Sequence, residues 1–195
     1  RYNLIMWALV ENNEVSKVFP RPKAITIGEN QYPQNIFNVW SSEELEAIGI
    51  YEVVIDNTNY KNPEYYINTN QSFDFADDTV TASYGTATAQ ALDDVTDDDG
   101  NVTRGLKYNH KEIINSQAGS LLSATDWYSI RAYDGGTAVP SNVSTHRTAV
   151  RTKANEMCTA IDDASDVDAL AALYEYSEND DGDMVRPLGE FPVLS

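Results

Sequence analysis

The sequence is poor in cysteine, histidine and basic residues. Its 195 residues include one cysteine, two histidines and 13 basic side chains against 31 acidic ones, a net charge of −18. Because Cys158 is alone, no internal disulfide can form, and a small secreted fold stapled by disulfides is excluded. The charge argues against nucleic acid or an anionic membrane as a partner. The apolar opening Tyr2–Val10 is far shorter than the roughly 20 residues of a membrane span. We therefore expect a protein that is made in the cytoplasm without a signal peptide.

Motifs of catalysis are missing as well. The sequence contains no G-x-S-x-G, no H-E-x-x-H and no Walker or Rossmann glycine loop. A metal held by His110 and His146 remains an alternative to two structural histidines. The acidic runs around Gly100 and Gly182 lack the ligands that an EF-hand needs at both ends of its loop. We expect no enzymatic activity, no cofactor and no metal.

The pattern of apolar residues predicts an α+β fold that starts with a small β-rich module at residues 1–56. Tyr2–Val10 has the composition of a buried strand, a polar turn follows at Glu11–Glu14, and Val15–Phe19 is a second strand, as in a β-hairpin. Ile50–Ile55 has the composition of a further strand. These segments can share one small core.

A short helix is predicted inside this module. Ser41 and Glu44 have the spacing of a capping box, in which the hydroxyl and the carboxylate each accept a hydrogen bond from the other residue's backbone amide. The helix, Ser42–Ile48, should end at Gly49, because glycine adopts the left-handed conformation that follows a helix without strain.

Residues 57–103 form an extended polar region rich in Asn, Thr, Tyr, Ser and Asp. A hairpin of Ala91–Asp94 and Val102–Leu106 is expected around the Asp99-Gly100 turn. The region is either a strand layer or an arm that pairs with another chain. Strand-like alternation occurs in Tyr65–Asn68, Ser72–Phe75 and Thr79–Tyr84.

From residue 104 to residue 195 the apolar period becomes helical. The first predicted helix starts near Leu106, the second opens at Pro140 and Ser141, and a third, short helix follows Asp166. We interpret this region as a C-terminal helical hairpin with a third short helix. The two facing stripes are Leu106, His110, Ile113, Ile114, Gln117, Ala118, Leu121 and Leu122 on the first helix, and Val143, His146, Val150, Ala154, Met157, Cys158 and Ile161 on the second.

The one positively charged part of the chain is residues 104–153, with a net charge of +4. Arg147 and Arg151 are one helical turn apart, and Arg131 leaves the expected corner between the helices, Ser123–Tyr133. One interpretation is an internal network in which Asp126 caps a helix or pairs with an arginine and the Trp127 corner is fixed. The other is a cationic patch that receives an acidic partner or an acidic segment of the chain's own tail. The planar guanidinium group of arginine can bind a carboxylate with two hydrogen bonds in either arrangement.

A resemblance is carried by Leu121-Leu122-x-x-Thr125-Asp126-Trp127-Tyr128-x-Ile130-Arg131, followed by Gly136, Val139-Pro140, Arg147 and Arg151. This pattern resembles the tail-fibre assembly proteins of tailed bacteriophages, which are similar to tail assembly chaperones. The match covers about residues 105–195, including Arg186-Pro187-Leu188-Gly189-Glu190-Phe191-Pro192. The opening Met6-Trp7-Ala8-Leu9-Val10, with Trp40-Ser41 and Ile48-Gly49-Ile50, is similar to the N-terminal module of many phage tail-region proteins. The polar residues 57–103 depart from the shorter members of the family.

The resemblance implies a non-enzymatic protein that binds a phage tail-fibre or baseplate protein and assists fibre assembly in the host cytoplasm. A permanent structural subunit of the virion tail, such as a fibre adaptor, is the alternative, and self-association is open. The family has no catalytic residues. By resemblance, Trp127 anchors the corner. The predicted site residues, for partner binding or for fixing the corner, are Asp126, Trp127, Arg131, Arg147 and Arg151.

Overall fold

The computed structural model describes residues 5–194 and shows a mixed α+β protein. The chain divides into two compact units, the first ending at Thr88 and the second beginning at Ala89. The expected strand Tyr2–Val10 includes residues 2–4, and the predicted C-terminal region, residues 104–195, includes residue 195. Those positions lie outside the described residues.

Unit 1 carries most of the strands. A ninth short strand, β9 (Thr88–Ala89), spans the boundary. The elements of unit 1 are β1 (Trp7–Glu11), β2 (Glu14–Phe19), β3 (Ile25–Ile27), β4 (Asn30–Tyr32), α1 (Ile36–Val39), α2 (Ser42–Glu46), β5 (Ile50–Asp56), β6 (Tyr66–Ile67), β7 (Gln71–Ala76) and β8 (Thr79–Tyr84).

Five strands of unit 1 form a curled sheet in the order β2-β1-β5-β8-β7. β5 and β8 pair in parallel, and the other neighbours pair antiparallel. Strands β2 and β7, at the two ends of this order, approach each other. Within residues 57–103, β7 and β8 therefore belong to a strand layer of unit 1.

Short turns with left-handed residues join the hairpins of this sheet. Asn12 and Asn13 connect β1 to β2 with φ of 54° and 66°, and Asp77 and Asp78 connect β7 to β8 with φ of 49° and 55°. Two left-handed residues give the twist that matches antiparallel strands, and Asn and Asp tolerate this conformation better than most residues.

The capping box of α2 is confirmed. Ser41 accepts from the Glu44 amide, and the Glu44 carboxylate accepts from the Ser41 amide at 2.8 Å. Gly49 follows with φ of +83°, as expected, although α2 ends at Glu46 and a turn fills the interval. Gly49 lies so close to β1 that a Cβ atom on it would be 2.8 Å from the Val10 carbonyl oxygen.

The core of unit 1 has two clusters. Trp7 and Leu9 point into the larger cluster and Ala8, between them, into the smaller one, so β1 is covered on both faces. The larger cluster consists of Trp7, Leu9, Phe19, Ile25, Ile36, Phe37, Leu45 and Ile50; the smaller consists of Ala8, Val53, Val80 and Ala82.

Unit 2 is mainly helical, with two small hairpins. Its elements are β10 (Val95–Thr96), β11 (Val102–Thr103), α3 (Leu106–Ser123), α4 (Asp126–Tyr133), α5 (Ser141–Asp163), α6 (Val167–Ala172), β12 (Ser177–Glu178) and β13 (Met184–Val185).

Helices α3 and α5 pack side by side and run antiparallel. Lys111 near the start of α3 pairs with Asp162 near the end of α5, and Arg147 near the start of α5 donates to the Leu122 carbonyl near the end of α3. Apolar side chains one turn apart bury the contact. The buried residues are Leu106, His110, Ile114 and Ala118 on α3, and Val143, Val150, Ala154, Met157 and Ile161 on α5.

The first turn of α3 is capped by backbone rather than by a side chain of its own N-cap residue. The amides of Leu106 and Lys107 donate to the carbonyls of Ala91 and Leu92 at 2.9 and 3.0 Å. The hairpin expected around Asp99-Gly100 is present, and β11 lies within the expected second arm, Val102–Leu106, but the first arm is β10 and not Ala91–Asp94. Residues 91–94 instead satisfy the start of α3, whose first amides have no intrahelical acceptor.

Candidate functional site

The segment expected to be a corner, Ser123–Tyr133, is for the most part the helix α4. Its N-cap residue is Thr125, whose hydroxyl donates to the Leu122 carbonyl at 3.0 Å, and Asp126 occupies the first turn. Asp126 therefore does not cap the helix from the N-cap position. An acidic residue in the first turn and Arg131 in the last suit the helix dipole.

Arg147 fixes this junction between α3 and α4. One guanidinium nitrogen donates to the Leu122 carbonyl and to Thr125 Oγ1, both at 2.7 Å, and the other donates to Asp126 Oδ1 at 2.7 Å. The Arg147 side chain is only 11% exposed. It thus adds a donor to the Leu122 carbonyl near the end of α3, which also accepts from the Thr125 amide and from the Thr125 hydroxyl, each at 3.0 Å.

Helix α4 contributes nothing to the core. None of its eight residues, all of which the structure describes, is buried. Three large side chains on it are exposed: Trp127 by 50%, Ile130 by 62% and Tyr133 by 91%. We name these three residues, together with Tyr128 and Arg131, the α4 surface. Trp127 does not act as a buried anchor, and the connection between the helices is made by Arg147.

The rings and the guanidinium of the α4 surface stack on one another. Trp127 and Tyr128 lie 3.8 Å apart between ring centroids with an interplanar angle of 29°. The Arg131 guanidinium carbon is 4.9 Å from the Trp127 centroid and 5.2 Å from that of Tyr128. Cation–π contacts of this kind hold an arginine in one orientation.

The turn after α4 folds back over Arg131. Arg131 Nε donates to the Thr137 carbonyl at 3.3 Å and a terminal nitrogen to the Ala138 carbonyl at 3.4 Å. Gly136 lies so close that a Cβ atom would be 2.9 Å from Arg131 Cγ. A residue with a side chain at this position would displace Arg131.

The five predicted site residues fall into two groups. Asp126 and Arg147 form the internal junction, whereas Trp127 and Arg131 belong to the α4 surface. Arg151 is exposed on α5 and donates to the Arg147 carbonyl at 3.4 Å. Thr125, Ile130 and Tyr133 were not among the predicted site residues. Thr125 and Ile130 belong to the sequence pattern that carries the resemblance, and this pattern could have identified them. No sequence pattern indicated Tyr133.

The two histidines lie in different surroundings. His110 is buried and its Nδ1 is 2.9 Å from the Tyr174 hydroxyl, with the two ring centroids 4.9 Å apart. His146 is partly buried on α5. Across residues 5–194, no group of three or more His, Cys, Asp and Glu side chains could hold a metal ion.

At the tips of the two hairpins of unit 2, a side-chain oxygen of Asp97 or Asn179 accepts hydrogen bonds from the backbone of the turn. Asp97 Oδ1 accepts from the amides of Asp99 and Asn101, and Asn179 Oδ1 accepts from the amides of Asp181 and Asp183. Hydrogen bonds from the Asn101 side chain and amide lower the pKa of Asp97. The two tips thus repeat one turn geometry.

A groove of about 680 Å³ runs along α5 beside the tail. Its ionisable groups are Lys153, Glu156 and Glu190, and Lys153 pairs with Glu156 at 3.7 Å. Neither histidine nor cysteine is among the described residues that line it. Burial raises the pKa of the Cys158 thiol, which lies elsewhere on α5. The lining consists of Ser144, Thr145, Thr148, Ala149, Thr152, Lys153, Glu156, Glu190 and Pro192.

Within the described part of the chain, no helix combines the length and apolarity needed to traverse a lipid bilayer. No protein-family model matches the sequence, and neither a curated protein nor a solved structure matches it.

Proposed function

We propose that the chain is a non-enzymatic bacteriophage tail-module protein that binds a tail-fibre or baseplate protein and assists fibre assembly in the host cytoplasm. The phage assignment rests on the sequence resemblance around Thr125-Asp126-Trp127. The observation that carries the binding role is the α4 surface, where Trp127, Ile130 and Tyr133 are exposed on a helix without a buried residue.

The composition of the α4 surface supports protein binding. Tryptophan, tyrosine and arginine are the residues that contribute most often to interface energetics. A short helix presenting side chains at i, i+3 and i+6 suits a helix-in-groove contact, and Trp127, Ile130 and Tyr133 have this spacing. Exposing such side chains lowers solubility unless a partner covers them for part of the protein's life.

The junction below the α4 surface favours binding further. Arg147 fixes the start of α4 by hydrogen bonds to three acceptors, and the stacked rings of Trp127 and Tyr128 hold Arg131. A surface that is ordered before binding loses less conformational entropy when the complex forms.

The proposal includes a finer arrangement of the fold. The N-terminal β-rich module would support the chain, residues 57–103 would add extended strands, and α3 and α5 would form the helical hairpin, with α6 as the third short helix. The antiparallel packing of α3 and α5 supports this division, because it presents α4 at the connection between the two long helices.

A permanent structural subunit of the virion is the second candidate. It is favoured by a separate observation in unit 1, where Val54, Ile55 and Ile67 are exposed on strands β5 and β6. A permanent assembly could cover these side chains as well as the α4 surface.

Mass spectrometry of purified virions separates the two candidates. An assembly factor should be abundant in infected-cell lysate and absent from virions, whereas several copies per particle would establish a structural subunit. Co-expression with each tail-fibre and baseplate protein of the same phage, followed by affinity capture, tests the binding itself. If none is captured under conditions where each is soluble, the proposed function is wrong.

A further inference from the structure

Ion pairing is unevenly distributed in unit 2. Residues 89–195 contain eight basic and 19 acidic side chains. Acidic groups therefore outnumber the cations with which they can form ion pairs. Among the described residues Arg131 and Arg151 form no ion pair. The other six do: Arg104–Asp94, Lys107–Asp93, Lys111–Asp162, Arg147–Asp126, Lys153–Glu156 and Arg186–Glu190.

The two arginines lie on the helices α4 and α5, which Arg147 connects. Arg131 is the last-turn cation of α4, and Arg151 is one turn beyond Arg147 on α5. Their hydrogen bonds to backbone carbonyls are long, between 3.3 and 3.4 Å. Since a guanidinium has five N–H donors, each retains donors for another acceptor.

The orientation of the Arg131 guanidinium group suits a carboxylate acceptor. Its guanidinium stacks on Trp127 and Tyr128 and is therefore held in a fixed plane. A planar fork binds carboxylate with two parallel hydrogen bonds, and a contact beside apolar rings is screened less than one in open water.

We infer that the partner contacts the α4 surface through an acidic segment, with a carboxylate bound by Arg131 and apolar side chains covering Ile130 and Tyr133. Arg151 gives the segment a second anchoring charge. This inference rests on the proposed function, because it names the chemistry of the partner at the same site. Local charge complementarity selects the occupant, because a basic segment would meet two cations, Arg131 and Arg151, that have no ion pair among the described residues.

The test uses two fluorescent peptides and the full chain. One peptide repeats Leu-Glu and the other repeats Leu-Gln, so the two differ in charge and share their apolar side chains. Anisotropy titrations compare the wild-type protein with R131Q, R131K and R151Q. R21Q is the matched control, since it removes one exposed arginine from unit 1. Circular dichroism checks that each variant is folded.

The wild-type protein should bind the Leu-Glu peptide roughly tenfold or more tightly than the Leu-Gln peptide, as expected for one charge-assisted contact. R131Q should lose this preference, R151Q should reduce it, R131K should keep part of it, and R21Q should keep all of it. Equal binding of the two peptides by the wild-type protein overturns the inference, and so does an unchanged preference in folded R131Q.

The same variants applied to a captured fibre or baseplate protein separate the two proposals. Capture that is lost in Ile130→Ser but unchanged in R131Q and insensitive to salt would leave the proposed function standing and overturn the acidic segment. A peptide preference without capture of any phage protein would do the reverse. If sedimentation shows that the chain self-associates and R131Q returns it to a monomer, the occupant is a second copy and the inference is wrong.

Discussion

Arg147 of α5 donates a hydrogen bond of 2.7 Å to Asp126, 21 residues earlier at the start of α4. The same guanidinium donates to the Leu122 carbonyl of α3 and to the Thr125 hydroxyl. One side chain therefore connects three helices. The stability of the α3–α4 junction should depend on the arginine far more than on the carboxylate, because Asp126 is more than half exposed.

Replacing Arg147 by alanine should lower the free energy of unfolding by about 2–4 kcal/mol, because it removes three hydrogen bonds made by a side chain that is only 11% exposed. Urea unfolding followed by circular dichroism measures this. Asp126→Asn should cost about 1 kcal/mol or less, as expected for a half-exposed ion pair. Equal losses for the two variants would show that the carboxylate, rather than the carbonyl and hydroxyl contacts, determines the junction.

Trp127→Ala should hardly change stability, since the side chain is 50% exposed and surface substitutions usually change the free energy of unfolding by about 0.5 kcal/mol. It should nevertheless abolish partner capture. Trp7→Ala is the matched control: Trp7 is 7% exposed in the unit 1 core, and its truncation should cost about 3–5 kcal/mol.

Acrylamide quenching provides an independent check on Trp127. Of the tryptophans, Trp127 should be the most accessible, so Trp127→Phe should remove the readily quenched part of the fluorescence. A large loss of stability in Trp127→Ala would indicate a structural tryptophan and count against the α4 surface as a binding site.

The parts of the fold that the sequence predicted are those set by nearby residues. The Ser41–Glu44 capping box and the left-handed Gly49 follow from local backbone chemistry and are confirmed. The apolar period likewise indicated α3 and α5. Helix α4 gave a weaker signal, because its eight residues make only about two turns. The three-residue spacing of Trp127, Ile130 and Tyr133 also does not say whether that face is buried.

Long-range relations in the structure were beyond sequence patterns. The parallel pairing of β5 with β8 joins segments separated by the β6–β7 region, and no local pattern specifies that register. The predicted site shows the same limit. Arg147 and Arg151 are one helical turn apart on α5, and this spacing does not distinguish them. Arg147 nevertheless forms the internal junction whereas Arg151 is exposed, and the difference depends on where α4 begins.

Gly105, the N-cap residue of α3, and Gly119, inside α3, should respond in opposite directions to replacement by alanine. A Cβ atom at Gly105 would lie 2.4 Å from the Asp93 carbonyl, whereas one at Gly119 meets nothing within 4 Å. Gly105→Ala should therefore cost about 1–3 kcal/mol through overpacking. Gly119→Ala should stabilise by about 0.5–1 kcal/mol, because glycine inside a helix loses more backbone entropy on folding.

Thermal unfolding of the two glycine variants measures both effects under one set of conditions. If Gly105→Ala were as stable as the wild-type protein, residues 91–94 would not be packed against the start of α3, and the backbone capping there would have to be abandoned.

The start of α3 should also make stability depend on pH. Hydrogen bonds from the Gly105 amide and then from Arg104 lower the pKa of Asp94 below its ordinary value of 3.8. The folded protein therefore holds this carboxylate ionised where the unfolded chain already binds a proton. The stabilisation is complete above the unfolded pKa and is lost as the pH falls through the lower, folded pKa.

Urea unfolding at pH values from neutral to about one unit below that ordinary aspartate pKa should show this loss in the wild-type protein. Asp94→Asn should be less stable at neutral pH and should lose less stability on acidification, because an amide cannot bind the proton. Asp98→Asn, at the tip of the β10–β11 hairpin, removes the same charge and is the control. Asp97 and Asp56 also have lowered pKa values and remain in both variants. The two variants therefore differ, in the stability that they lose on acidification, by the contribution of Asp94. If both lost the same stability, the hydrogen bonds of Asp94 to Gly105 and Arg104 would add nothing to folding.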